Sequence, residues 1–130
     1  MSCNTMTADL GDIEAVVKLY LDGLYEGDAA KIGQAFHGVS HLYSVAGDGS
    51  VDDLPRAQWL EKVAARPSPK SQGHARSDRI VAIDQSGPGT AFVKVECAVP
   101  PRYFTDYLLL LKTGGGWKIT AKSFHTDERG

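Results

Sequence analysis

Asp106 is the side chain with the most to explain. It stands in Arg102-Tyr103-Phe104-Thr105-Asp106-Tyr107-Leu108-Leu109-Leu110-Leu111-Lys112, one carboxylate among two tyrosines and four leucines. Strand alternation groups it with Phe104, Leu108 and Leu110, opposite Tyr103, Tyr107, Leu109 and Leu111. Two placements follow. On a face that lines a pocket, a carboxylate among apolar neighbours is suited to act as general acid, base or hydrogen-bond donor. On the outer face it would pair with an arginine or lysine at a dimer interface. The outer placement is the expectation, and it turns Tyr107 inward as a ligand-binding residue.

Other candidates are weaker. Phe36 and Trp59 are large flat side chains able to wall a pocket and stack on a planar ring. His41 and Tyr43 share a strand face, with Ser44 beside them. His37 and His41 have the spacing of metal ligands only on a continuous helix, and Gly38 between them argues against one, so no metal is expected. Ser44 lacks the nucleophile-elbow sequence of a hydrolase. Gly114-Gly115-Gly116 lacks the Lys-Ser/Thr and following helix of a phosphate loop, and reads as a hairpin turn. Lys94, Glu96 and Lys122 alternate with apolar residues and read as cross-strand ion pairs on an outer face.

The elements that must hold these residues belong to one domain. At 130 residues the chain buries roughly two-thirds of the surface its unfolded form exposes. A net charge of −2 argues against nucleic acid. The charge is uneven: residues 1–53 hold nine acids and two bases, residues 54–80 six bases and two acids. That reads as two solvated faces, or as a basic rim favouring an anionic ligand. No stretch suits a membrane span or signal peptide, so a cytoplasmic protein is expected. Cys3 and Cys97 are expected to remain reduced.

Leu10, Ile13, Val17, Tyr20, Leu21 and Leu24 recur at helical spacing, which predicts a helix over 9–26 ended by Gly27. Asp28 then caps a second, short helix. A strand is expected over 39–45 and a third helix from about Asp53, with Pro55 in its first turn and Arg66-Pro67-Ser68-Pro69 ending it. Strands follow at 74–84 and 90–99, the latter alternating cleanly, and a hairpin joins 102–112 to 117–125. Three helices and a curved antiparallel sheet make an α+β layer packing with a conical space between them. Its mouth is the natural ligand site.

Tyr20–Phe36 (YLDGLYEGDAAKIGQAF), Trp59-Leu60, Arg66-Pro67-Ser68-Pro69, the Arg102–Leu108 run and Trp117-Lys118-Ile119 with Lys122 and Phe124 carry a resemblance. Over residues 8–126 the chain resembles the nuclear-transport-factor-two-like superfamily, and within it a branch described as "putative lumazine-binding". Residues 1–7 and 127–130 read as tails. The resemblance implies the cone-shaped, cystatin-like fold of ketosteroid isomerase. It also implies that Tyr20 donates to a developing oxyanion. Ser44 falls where the isomerase pattern has its proton-transferring carboxylate, which argues against steroid isomerisation. The expected function is therefore a small-molecule-binding domain with an apolar, aromatic pocket for a planar heterocycle, formed by Tyr20, Phe36, Tyr43, Ser44, Trp59 and Tyr107. The alternatives are a cofactor-free lyase or isomerase acting next to a carbonyl, with Tyr20 and Asp106 catalytic, and a protein-interaction module. A homodimer through the outer sheet face is expected, without cofactor, nucleic acid or membrane.

Overall fold

The computed structural model describes the backbone of residues 3–129 and the side chains of residues 9–129. Helix α1 spans Cys3–Glu26, so residues 3–7 continue the helix where a tail was expected. Ile13, Val17, Tyr20, Leu21 and Leu24 form its buried stripe. Gly27 ends it at φ 71°, a conformation only glycine adopts without strain. Asp28 then caps α2, Ala29–Ala35, its Oδ1 accepting from the backbone N–H groups of Ala30 and Lys31 at 3.1 and 3.2 Å. Gly23 lets the two helices meet: a Cβ there would lie 2.7 Å from Ile32 Cγ1.

Strand β1, Phe36–Val45, turns at Gly47–Gly49 into β2, Val51–Pro55. This strand was not anticipated, because Val51, Asp52 and Asp53 are exposed and carry no apolar alternation. Antiparallel pairing makes it a strand: Val51 faces Val45 and Pro55 faces His41. Helix α3 therefore starts late, at Arg56, with Pro55 as its N-cap residue, and runs to Ala65. Strands β3 (Arg79–Ser86), β4 (Thr90–Val99), β5 (Arg102–Thr113) and β6 (Gly116–Glu128) complete the sheet. Residues 74–78, expected to open β3, form no ladder, and β6 continues into the expected C-terminal tail.

The sheet order is β2-β1-β6-β5-β4-β3. Every neighbouring pair is antiparallel except β1 with β6, which is parallel, so the six-stranded sheet is mixed. The helices cover one face. Val93, Val95, Leu108, Leu110, Trp117 and Ile119 point into the core against α1, α2 and α3. The opposite face leaves Tyr107, Leu109 and Leu111 about half exposed. This is the α+β architecture that the residue pattern implied.

Candidate functional site

The site is made by a break in alternation. On β6, Trp117 and Ile119 face the core, and strict period two would send Lys122 outward. The ladder slips at this point: Leu110 pairs with Ile119 but Leu109 pairs with Ala121, leaving Thr120 as an extra residue. Such a bulge reverses the parity of everything beyond it. Lys122 consequently enters the core, 4% exposed, with Phe124 beside it. The outer-face ion pair expected for Lys122 is thereby overturned. Lys94 and Glu96 do stay outside, Glu96 bonded to Arg79 across the strands.

Asp106 is also inside, fully buried, which corrects its expected interface placement. No bulge intervenes between β4 and β5, so Asp106 stays in phase with core residues Leu108 and Leu110. The same phase sends Tyr107 outward, 47% exposed, and removes it from the pocket wall. Tyr107 instead stacks obliquely near Phe92 and under the Lys94 ammonium on the outer face.

Around Asp106 a polar chain runs through the core. Lys122 Nζ donates to the Tyr20 hydroxyl at 3.0 Å, and Tyr20 donates to Asp106 Oδ2 at 2.5 Å. The ammonium lies 3.7 Å from the same carboxylate oxygen, and the Cys97 thiol donates to it at 3.5 Å. Aromatic faces surround the ammonium: Trp59 at 4.6 Å, Phe124 at 4.7 Å, Tyr20 at 5.3 Å and Phe104 at 5.9 Å to the ring centroids. Burial, and then the neighbouring Asp106 charge, push the Tyr20 hydroxyl well above its ordinary value of 10.0. The Cys97 thiol is pushed up by the same two causes in the same order, which disfavours its thiolate.

This chain is an expensive thing to keep in a core. Desolvating an ion pair costs several kcal/mol per ion, and apolar replacements of similar volume are often as stable or more so. The accounting is also incomplete, since Asp106 Oδ1 is buried with no hydrogen-bond partner. An unsatisfied buried acceptor costs about 1–3 kcal/mol. Stability does not explain these residues; a ligand or a reaction would.

Lys122 opens on a cavity of about 160 Å³ lined by Leu24, Leu42, Leu54, Trp59, Phe104 and Phe124, with Lys62, Arg66 and Arg102 at its polar side. A dry cavity of about 150 Å³ holds one benzene ring. The space therefore suits a single ring or a short chain, and a fused bicycle would project from the mouth. Arg66 is half-buried, and burial followed by the like charge of Arg102 lowers its pKa below the usual arginine value.

The sequence-derived residues thus divide. Tyr20 and Asp106 are brought into direct contact, and Trp59 walls the cavity. Phe36 packs behind, edge-on to both Tyr20 and Trp59 at 5.1 and 4.8 Å. Tyr43 and Ser44 lie elsewhere on β1, outside the cavity lining: Tyr43 stacks on His41, and Ser44 pairs with Asp52. Lys122, Arg66 and Arg102 were not singled out as site residues. A lone lysine in a strand carries no signal of a bulge, while the run of bases after residue 54 was the available sign for Arg66. Among the described residues no group of three or more His, Cys, Asp or Glu side chains is arranged to hold a metal. No helix among them is long and apolar enough to cross a membrane.

Three N-terminal helices laid on one face of an open mixed sheet, with a cavity between α3 and the inner face, define an NTF2-like, cystatin-like α+β protein. The chain belongs to the family described as "Putative lumazine-binding", whose profile matches residues 8–125. It is 24% identical over 131 residues to the aldolase FrzH of Cladobotryum sp, covering 99% of this chain and 100% of that protein. Among solved structures, an NTF2-like protein of unknown function from Shewanella baltica matches at a TM-score of 0.82 and 23% identity, covering 95% of this chain and 97% of that one. Another from Methylobacillus flagellatus matches at 0.79 and 25%, covering 98% and 95%. A ketosteroid isomerase-like protein from Erwinia carotovora atroseptica matches at 0.68 and 17%, covering 93% and 98%. These likenesses support the fold.

Proposed function

We propose that this chain binds a small organic molecule in the Trp59 cavity and, without a cofactor, moves a proton at the carbon next to that molecule's carbonyl. The observation that carries the reading is the buried Lys122–Tyr20–Asp106 chain, which the fold keeps at a cost and which ends on an unpartnered carboxylate oxygen. Lys122 is its cavity-facing member. Passing one proton from Lys122 through the Tyr20 hydroxyl to Asp106 turns a buried ion pair into a neutral pair. The amine left at the cavity can take a proton from carbon, and, once protonated, the ammonium sits where an enolate oxygen would form. The enolate then reprotonates elsewhere, an isomerisation, or joins or leaves a second carbonyl, an aldol-type step. Likeness to an aldolase supports the second outcome. A planar ring, heterocyclic or carbocyclic, would meet the exposed edge of the Trp59–Phe104–Phe124 wall.

The test is proton exchange. In deuterated water, small ketones and oxo acids should lose their α-hydrogens faster with the protein than without it, followed by NMR. Lys122→Met and Asp106→Asn should each slow that exchange by about 10²-fold or more, the range of acid–base contributions. No acceleration by the wild type across the panel would sink the catalytic part of the reading.

The reading extends to a cytoplasmic homodimer. The outer face, with Tyr107, Leu109 and Leu111 about half exposed, is its natural seam. Light scattering should report a dimer that Leu109→Asp converts to monomer; a monomeric wild type would refute the seam.

A further inference from the structure

We infer that Arg66 and Arg102 form the binding site for the carboxylate of a small organic acid whose apolar body fills the Trp59 cavity. The inference rests on that cavity being the ligand site, and adds the class of ligand. Lys62, Arg66, Arg102 and Lys122 line the cavity, and among the described residues no Asp or Glu lines it. Lys122 is committed to Tyr20 and Asp106. Among the described residues, the other three form no ion pair.

Two arginines elsewhere on this molecule are neutralised. Phe104 also borders a second hollow, of about 360 Å³, that contains Arg76 and Arg79. There Arg76 pairs with Asp22 and Asp78, and Arg79 with Glu96. That hollow supplies acids to two of its three arginines, Arg129 being the third, whereas among the described residues no acid lines the Trp59 cavity beside Arg66 and Arg102. The C-terminal end of α3 is a reason for Lys62 in its last turn, since cations suit that end of a helix. It gives no reason for Arg102, which arrives from β5 beside a half-buried Arg66 whose charge it opposes. A bound carboxylate relieves that opposition and matches the planar, two-pronged donor geometry of guanidinium. The apolar walls and the single-ring volume set the rest of the acid: one ring or a short chain, without a second charge.

Benzoate and benzamide, which share a ring and differ in charge, are the probes, with NMR of the Trp59 indole and calorimetry on the full chain. Benzoate should shift the Trp59 signal and bind at least tenfold more tightly than benzamide, with an affinity that falls as salt rises. Arg66→Gln and Arg102→Gln should each weaken benzoate at least fivefold while leaving benzamide binding and the melting temperature in place. Equal binding of the two probes, or unchanged benzoate affinity in both variants, overturns the carboxylate site and leaves the cavity standing as a ligand site. Inorganic phosphate binding more tightly than benzoate overturns it too, in favour of a phosphate. If neither ring compound perturbs Trp59, the cavity reading falls and takes this inference with it.

Discussion

Among the described residues two aspartates are buried, and they are treated in opposite ways. Asp9, on α1, is 1% exposed and fully answered: Lys112 donates at 2.9 Å and Trp117 Nε1 at 3.2 Å to Oδ1, and Gln85 donates at 3.0 Å to Oδ2. Those donors come from β5, β6 and β3, so one carboxylate pins the helix to three strands. Asp106 is equally buried, but only Oδ2 is engaged, and its partners are a tyrosine, a thiol and a lysine turned inward by a bulge. Its other oxygen has no partner. The first arrangement is what a structural buried charge looks like when its hydrogen bonds are complete. The second leaves a buried acceptor unanswered, an exception that packing does not explain.

The contrast can be broken most severely at Lys122. Lys122→Met leaves the Asp106 charge buried without its cation, and should destabilise the protein by about 3–5 kcal/mol in urea unfolding. Adding Asp106→Leu to that variant should return most of the loss, because an apolar pair of similar volume needs no compensation. A single variant as stable as the wild type would mean that the pair is not desolvated, and the distinction between the two aspartates would collapse.

Tyr20→Phe is the next largest. It deprives both Lys122 and Asp106 of a hydrogen-bond partner in the core, at about 1–3 kcal/mol. It also changes the alkaline limb. The Tyr20 pKa is raised in the folded state, so above pH 10 the unfolded chain gives up a proton that the folded one retains. Wild-type stability should therefore fall with pH there by about 1.4 kcal/mol per unit more steeply than that of the variant, until the folded pKa is reached. Parallel alkaline limbs would contradict the burial of this hydroxyl.

The smallest effect belongs to Asp9. Hydrogen bonds, first from Lys112, then from Gln85 and Trp117, hold its carboxyl below the ordinary 3.8. A depressed folded pKa contributes stability that is present above the unfolded value and is lost as pH falls below about 4. Asp9→Asn should flatten that part of the acid limb and leave ligand binding and α-proton exchange untouched. If it abolished exchange as Asp106→Asn is expected to, the two aspartates would not be separable by function.

Much of the scaffold could be read from local chemistry. Gly27-Asp28 predicted a helix end and a cap, and both form because positive φ and a side-chain acceptor are properties of those two residues alone. The alternation of Ala91, Val93, Val95 and Cys97 predicted the inner face of β4 for the same reason. Strand β2 was not legible, since its side chains are mostly exposed and only the partner strand defines it. Within the site, Tyr20 could be picked out through the family resemblance and Trp59 as a large flat ring on α3. Asp106 could be picked out but not assigned a side.

By itself the sequence determined the order of the elements other than β2, the helix end and cap at Gly27-Asp28, and which leucines share a face with Asp106, because these depend on neighbours within a few residues. The tertiary structure decided which of the two faces is the core, since that choice depends on where α1 and α3 dock. It also decided that Lys122 belongs inside. One extra residue at Thr120, visible only as a slip between β5 and β6, turns a surface lysine into the head of a buried hydrogen-bonded chain.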